Sequence, residues 1–336
     1  MTEVITIAIS ANAVIRILAL GLFSFLLSML ITPVYTTLAY RYKWWRKSDR
    51  RSVAAGAPRR NIPTMAGGLF VLITAIVTLW FNLDANETMF PLAVMVGAGA
   101  MGLFNDLLAA RFLASVRRRI RLVLYSLVAL SGGWWYYAQL DADMLYLPWT
   151  GELFVGWLIV PIFWLVVVAS ARAVNVTDGL AGLAGGLLST AFALYSAIAL
   201  LQGEYVLAGF CMTIVGSLLS YTWFNIPPAR FYMGDVGAIA LGAVLGVVAL
   251  QTDTLYVLPF IGAVFVVEYA IHVWSQIVRR RGEPQGKAKG SWRTARTLHE
   301  LYILKGWPDA KITMRLWVLG QVAAAVGLAV FLVGRG

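Results

Sequence analysis

The sequence predicts an all-α integral membrane protein, a single domain over residues 1–336 with about ten transmembrane helices. Three observations carry that prediction. Apolar residues make up 60% of the chain and charged residues 13%, with a mean hydropathy of +0.77, which is more apolar surface than a soluble core of this length can bury. The apolar residues fall in continuous runs of about 20, long enough to cross a bilayer as helix, and they lack the alternation of a transmembrane β-barrel. All but two of the basic residues, Arg16 and Arg335, fall in or at the edges of every second linker between those runs.

Taken in chain order, the ten runs are 13–38, 66–82, 89–104, 120–138, 152–170, 181–201, 205–223, 236–250, 257–278 and 314–333. The first is too long for a signal-peptide core and lacks a small-residue cleavage site, so it reads as a retained helix. The third and the eighth are short and rich in glycine. Cys211, the one cysteine, lies inside the seventh run, where no internal disulfide is possible and a small core residue is expected. The ninth run carries Glu268 and His272, ionisable groups deep in an apolar stretch. Four residues apart, they share a helix face and are expected to pair inside the bundle.

The charges orient the chain. The odd-numbered linkers and their edges hold 8 basic residues at 41–60, 5 at 105–121, Arg172, Arg230, and 10 at 279–315, which is 25 of the 27 Lys and Arg. The even linkers and the tails carry Glu3, Asp84, Glu87, Asp141, Asp143, Glu152, Glu204 and Asp253. Basic loops stay on the cytoplasmic side, so both termini are expected outside, with cytoplasmic segments at 41–65, 105–119, 171–180, 224–235 and 279–313. The net charge of +11 is thus a topology signal. A nucleic-acid partner is excluded for want of a soluble basic face. The basic loop with Trp44 and Trp45 suits the anionic leaflet of a lipid bilayer.

The unusual residues gather on that same side, in "RRNIPTMAGG" (59–68), "GLFNDLLAAR" (102–111), "ARAVNVTDGLAGL" (171–183), "FNIPPARFYMGD" (224–235) and "TARTLHELYILKGWPDAKI" (294–312). The outer loops are short and plain. An active site at the cytoplasmic face explains this asymmetry better than a carrier does, because a carrier needs polar groups at mid-membrane. Asp106 is expected to end a helix and Asp178 to begin one, with Asp235 near the start of a third. Three single acids at one mouth could share a divalent cation, and oxygen ligands with open positions suit Mg²⁺. The glycines at 179, 182, 185 and 186 allow close packing and leave N–H groups at a helix start for a phosphate. Arg59, Thr64, Asn175, Asn225, Arg230, Gln276 and His299 surround the acids with donors. Acids with a metal, ringed by donors and cations, describe a phosphoryl-transfer site. Arg117, Arg118 and Arg119 read instead as plain inner-leaflet anchors.

"AVNVTDGLAGLAGG", "FNIPPARFYMGDVGAIALG", "IPTMAGG" and "LHELYILKGWPDAKITMRLW" together resemble the polyprenyl-phosphate N-acetylhexosamine-1-phosphate transferases, over residues 59–333. The "KGWP" stretch points to the phospho-MurNAc-pentapeptide transferase branch rather than the GlcNAc-1-phosphate one. The resemblance implies a multi-pass protein of the bacterial inner membrane that joins undecaprenyl phosphate to the phospho-sugar of UDP-MurNAc-pentapeptide, with Mg²⁺, in peptidoglycan synthesis. It implies Asp235 as metal ligand, with Asn175 and Asp178 near the metal and diphosphate, and Asp106 as the second acid of an Asp–Asp pair. His299 matches the first of three adjacent histidines. Gly179, Leu180, Asn225 and Tyr232 match a nucleoside pocket, Thr64 and Arg59 the Thr and Lys of the first cytoplasmic loop, and Gln276 a pocket glutamine.

This chain departs from the family pattern where Asn105 replaces the first acid of the pair, Ala181 replaces an acid of "DGxDG", and Glu300 and Leu301 replace two histidines. The attacking group is a phosphate monoester, largely ionised near neutral pH, so it needs no strong base. A UDP-GlcNAc-type donor, or a weakened member that only binds lipid phosphate or nucleotide, stays open as an alternative. The oligomeric state stays open too, a homodimer included.

Overall fold

The computed structural model describes residues 10–44, 62–112, 118–148, 151–280 and 295–335. It is almost wholly helical: α1 (Ala11–Arg41), α2 (Gly67–Phe81), α3 (Met89–Phe112), α4 (Arg118–Gln139), α5 (Ile159–Thr177), α6 (Leu183–Gln202), α7 (Tyr205–Asn225), α8 (Gly234–Gln251), α9 (Leu258–Ile261), α10 (Ala263–Arg280), α11 (Leu298–Leu304) and α12 (Asp309–Arg335). Every apolar run contains a helix. Among the described residues, seven helices are long and apolar enough to cross a membrane, and 67–81 and 263–278 are shorter apolar helices.

Several boundaries differ from the sequence reading. The ninth run is broken: α9 stops at Gly262 and α10 resumes at Ala263. The fifth begins later, because β1 (Met144–Leu147) and β2 (Gly151–Phe154) pair as an antiparallel hairpin ahead of it. That hairpin is a small departure from an all-α chain: "MLYL" precedes the fifth apolar run and "GELF" takes up its first residues. Asp106 does not end its helix, since α3 runs on to Phe112. Asp178 does not begin one. It caps the end of α5, and α6 starts only after Gly182 turns the chain at φ 76°. The inner segments expected as loops at 105–119, 171–180 and 279–313 are therefore partly helical, because their polar residues sit on helix ends that reach past the apolar runs.

The most extensive packing joins α1 with α7, α6 with α7, and α8 with both α3 and α5. α8 is buried from Asp235 to Leu250 and forms the axis of the bundle. Its composition explains that place. Little apolar surface drives helices together within lipid, so association rests on close contact through small residues. A Cβ added to Gly67 would lie 2.3 Å from the Gly237 Cα, and one on Gly102 would lie 2.5 Å from the Asp235 carbonyl. Gly242 meets the Ala171 backbone just as tightly. These approaches bring α2, α3 and α5 against α8 with no side chain between them. Where side chains do fill space, aromatics dominate: Phe90, Tyr136 and Phe163 have ring centroids 5.5–5.7 Å apart, and Tyr136 also donates to the Leu250 carbonyl at 3.0 Å.

Consecutive long helices run in opposite directions. One end of the bundle collects Arg16 with Phe81 and Asn82, Gln202 with Thr252, and Tyr146 with the Gly334 carbonyl. The other end collects the motif segments.

Candidate active site

Asp235 sits in the first turn of α8, 6% exposed, and three donors close on its carboxylate. Asn175, near the end of α5, donates from Nδ2 to Oδ1 at 3.0 Å. Asn105 on α3 donates from Nδ2 to Oδ2. Arg121, in the first turns of α4, reaches the same Oδ2 at 3.4 Å. Asp106, fully buried, turns the other way and accepts the Val236 N–H at 3.1 Å, so it caps the start of α8. A carboxylate at a helix N-terminus satisfies a free N–H and opposes the positive end of the dipole. The adjacent pair Asn105–Asp106 thus divides its work. The amide holds the Asp235 carboxylate, and the acid holds the helix that carries it.

His299 and Glu268 form the second cluster. Glu268, wholly buried on α10, accepts the N–H of Leu298 at 2.9 Å and of His299 at 3.1 Å, and its Oε1 also lies 3.0 Å from His299 Nδ1. One carboxylate therefore caps α11 and fixes the imidazole that α11 presents. Thr297 caps the same turn by accepting the Glu300 N–H, and its hydroxyl lies 3.2 Å from His299 Nε2. That imidazole edge faces the Gly179 Cα, where an added Cβ would fall 2.1 Å from Nε2. Any residue but glycine at 179 would displace His299. The expected Glu268–His272 pair is not formed this way: Glu268 turns to His299, while His272 Nε2 meets Gln276.

Asn225 knits the remaining loops. Its Oδ1 accepts the Gly182 N–H at 2.6 Å, and its Nδ2 donates to the Phe231 carbonyl. The Gly182 N–H, one of those expected at the head of α6 for a phosphate, is thus already taken by a side chain. Trp317 and Thr313 of α12 donate to the carbonyls of Gly182 and Ala181 at 3.2 Å each, which holds the 178–183 turn from outside. Tyr232 donates its N–H to the Pro63 carbonyl at 2.8 Å and accepts from Ala66 at 3.1 Å, so the 62–66 segment lies alongside 232–234. Thr64 is 4% exposed, and its hydroxyl has no hydrogen-bond partner among the described residues. Its carbonyl accepts from the Tyr35 hydroxyl at 2.8 Å.

Five segments distant in sequence therefore meet at one end of the bundle. They bring together Thr64, Asp106, Asn175, Asp178, Gly179, Leu180, Asn225, Tyr232, Asp235 and His299, each directly or through the next residue in the chain. Arg230 is exposed and lies 5.6 Å over the Phe224 ring, on the same loop as Tyr232. Gln276 bonds to His272 on its own helix. Arg59 lies outside the described residues. Two site residues escaped the sequence reading. Arg121 was counted only as loop charge, and Glu268 was assigned a local partner.

No group of three His, Cys, Asp or Glu side chains placed to hold a metal occurs among the described residues, so the three aspartates do not close around one cation. The oxygen donors that do converge are the Asp235 carboxylate and the amide of Asn175, which would have to turn its oxygen inward. Mg²⁺ is commonly held by one or two carboxylates plus substrate phosphates, and this donor set fits an ion carried in that way.

Residues 88–253 match the model of Glycosyl transferase family 4. Along nearly its whole length the chain is 32% identical to a phospho-N-acetylmuramoyl-pentapeptide-transferase of Chloroflexus aurantiacus, covering 97% of this chain and 92% of that protein. A protein of the same name from Dichelobacter nodosus is 35% identical over 81% of this chain and 80% of its own length. One from Geobacillus sp. is 30% identical over 91% and 94%.

Proposed function

The chain belongs to the phospho-N-acetylmuramoyl-pentapeptide-transferase family, and on that premise we propose that it transfers phospho-MurNAc-pentapeptide from UDP to undecaprenyl phosphate, forming lipid I and UMP. The observation that carries the reading is the convergence of all five motif segments on Asp235 and His299. In the reaction, an oxygen of the acceptor phosphate bonds to the sugar-bound phosphorus, and the bond from that phosphorus to UMP breaks. Asn105, Asn175 and Arg121 hold the Asp235 carboxylate in one orientation. With its Nδ1 side anchored by Glu268, His299 presents a fixed imidazole edge beside Gly179 to the diphosphate. Asp235 and Asn175 would hold Mg²⁺, which when bound offsets phosphate charge and so eases the approach of one anion to another.

An apolar groove of about 350 Å³ suits the lipid acceptor. It is lined by α5, α8, α9 and α10 and includes Ala173, Val174, Tyr269 and Ala270. Ala173 and Val174 directly precede Asn175, and Tyr269 and Ala270 directly follow Glu268, so a prenyl chain in the groove would deliver its phosphate beside both clusters. We place ten passes across a bacterial plasma membrane, with both termini outside and the active site on the cytoplasmic face. The alternating helix directions and the single basic end support that placement.

The test is UMP release by purified protein with Mg²⁺, undecaprenyl phosphate and either UDP-MurNAc-pentapeptide or UDP-GlcNAc. The proposal expects release with the muramyl donor. Release with UDP-GlcNAc alone would move the chain to the other branch. Nucleotide binding without release from either donor would mark a weakened, binding-only member, the outcome that Asn105, Ala181, Glu300 and Leu301 motivate.

A further inference from the structure

A second lipid-shaped feature lies apart from the acceptor groove. The turn between α11 and α12, closed at Gly306 with φ 82°, stacks Tyr302 on Trp307 with ring centroids 4.6 Å apart. Three cations gather on this aromatic pair. Lys311 Nζ lies 4.7 Å and the Arg315 guanidinium 4.5 Å from the Trp307 ring, and Lys305 Nζ lies 5.9 Å from Tyr302. All three cations are exposed, and none is in an ion pair among the described residues. The nearby acids are otherwise placed: Glu300 accepts the Arg296 N–H, and Asp309 lies in the first turn of α12. Lys311 and Arg315 are four residues apart on one helix face, a like-charge spacing that costs stability unless an anion joins them.

Below the cations a groove of about 420 Å³ continues along α12, walled by Ile312, Met314, Val318 and Leu319. Met314, Val318 and Leu319 are about 60% exposed, and Val322 extends the same stripe. The feature thus has a cationic, aromatic head and an aliphatic tail that points along a helix reading as membrane-spanning. Indole and phenol rings favour the headgroup level, and basic residues there attract anionic lipid.

We propose that this groove binds an anionic phospholipid, with its phosphate between Lys311 and Arg315 and an acyl chain along Met314, Val318 and Leu319. The occupant is a resident bilayer lipid, distinct from the lipid acceptor, whose groove is lined by α5, α8, α9 and α10 and shares no lining residue with this one. The assignment rests on the membrane reading of α12 and not on the identity of the donor sugar. Because Trp317 and Thr313 on the next faces of α12 hold the 178–183 turn, a lipid seated here would also steady the helix that braces the site.

The experiment is native mass spectrometry of the full chain released from detergent, with phosphatidylglycerol, phosphatidylcholine, undecaprenyl phosphate or inorganic phosphate added in turn. The K311Q/R315Q double variant is run in parallel, and its melting temperature and UMP release in lipid-free detergent are checked against the parent. The proposal expects phosphatidylglycerol to be retained over phosphatidylcholine. It expects the double variant to lose that retention by roughly fivefold for each cation removed, with undecaprenyl phosphate binding and UMP release unchanged. Equal retention of the two phospholipids, unaltered retention by the folded variant, or full displacement of phosphatidylglycerol by inorganic phosphate would overturn it. Absence of UMP release in the parent, with lipid selectivity intact, would count against the transferase reading alone.

Discussion

Among the described residues Asp235 meets at least three donors and Glu268 meets three, yet the two carboxylates differ in what they leave for a substrate. Glu268 is consumed by the fold: two backbone N–H groups and a histidine ring occupy it. Removing it by Glu268→Ala leaves those buried donors unpaired at about 1–3 kcal/mol each. The variant should therefore melt well below the parent, and a detergent-solubilised thermal unfolding curve measures this. Glu268→Gln keeps one acceptor and should fold, but with lower turnover, because His299 loses the charge that orients it. Asn105→Asp is the informative change at the other cluster. It sets a second carboxylate against Asp235 Oδ2, where like charges repel unless a cation intervenes. Turnover at saturating Mg²⁺ should be unchanged or higher, and the Mg²⁺ needed for half-maximal rate should fall. A collapse of activity would show that the amide is required as a donor. Residue types were legible in the sequence, but partners were not. His272 is four residues from Glu268 and fits a helix face, whereas the folded partner, His299, is 31 residues away across a linker whose path no local pattern encodes.

Among the elements, α8 shows most clearly how much of the fold could be read in advance. Its apolar run and its acid at the start were plain. Its role as the axis follows from glycine spacing that matters only once neighbours are known. Gly67→Ala should separate α2 from α8, because the added methyl meets Gly237 backbone and no flexible side chain can yield. Overpacking of this kind costs about 1–3 kcal/mol. It should also move the 62–66 segment away from Tyr232, so activity should fall together with melting temperature. Tyr136→Phe is a milder probe at the opposite end. It keeps the aromatic stack and removes the bond to Leu250, for a loss of about 1 kcal/mol. The α9–α10 break and the hairpin went unread for one reason: both are interruptions shorter than the window over which hydropathy is averaged.

At the scale of the molecule, charge placement and helix direction agree. The described helix ends next to the Lys- and Arg-rich stretches, those of α1 and α10, lie at the end that holds Asp235 and His299, and the acidic linkers lie at the other. Reporter fusions should place both termini outside and the 41–60 segment inside; a cytoplasmic C-terminus would break the alternation that gathers the motifs at one end. That the five motif segments meet at one end of the bundle was legible, because five polar, glycine-rich segments in a greasy chain had to lie on one side. Its internal wiring was not legible, since it depends on which face of each helix turns inward.

The central claim is that Asp235 is the functional carboxylate of one phosphoryl-transfer site. It is tested most directly by comparing UMP release from UDP-MurNAc-pentapeptide by the parent and Asp235→Asn, with matched melting curves. Release by the parent is expected, with a loss of at least about a hundredfold in a variant that remains folded. Near-parental release by folded Asp235→Asn would contradict it.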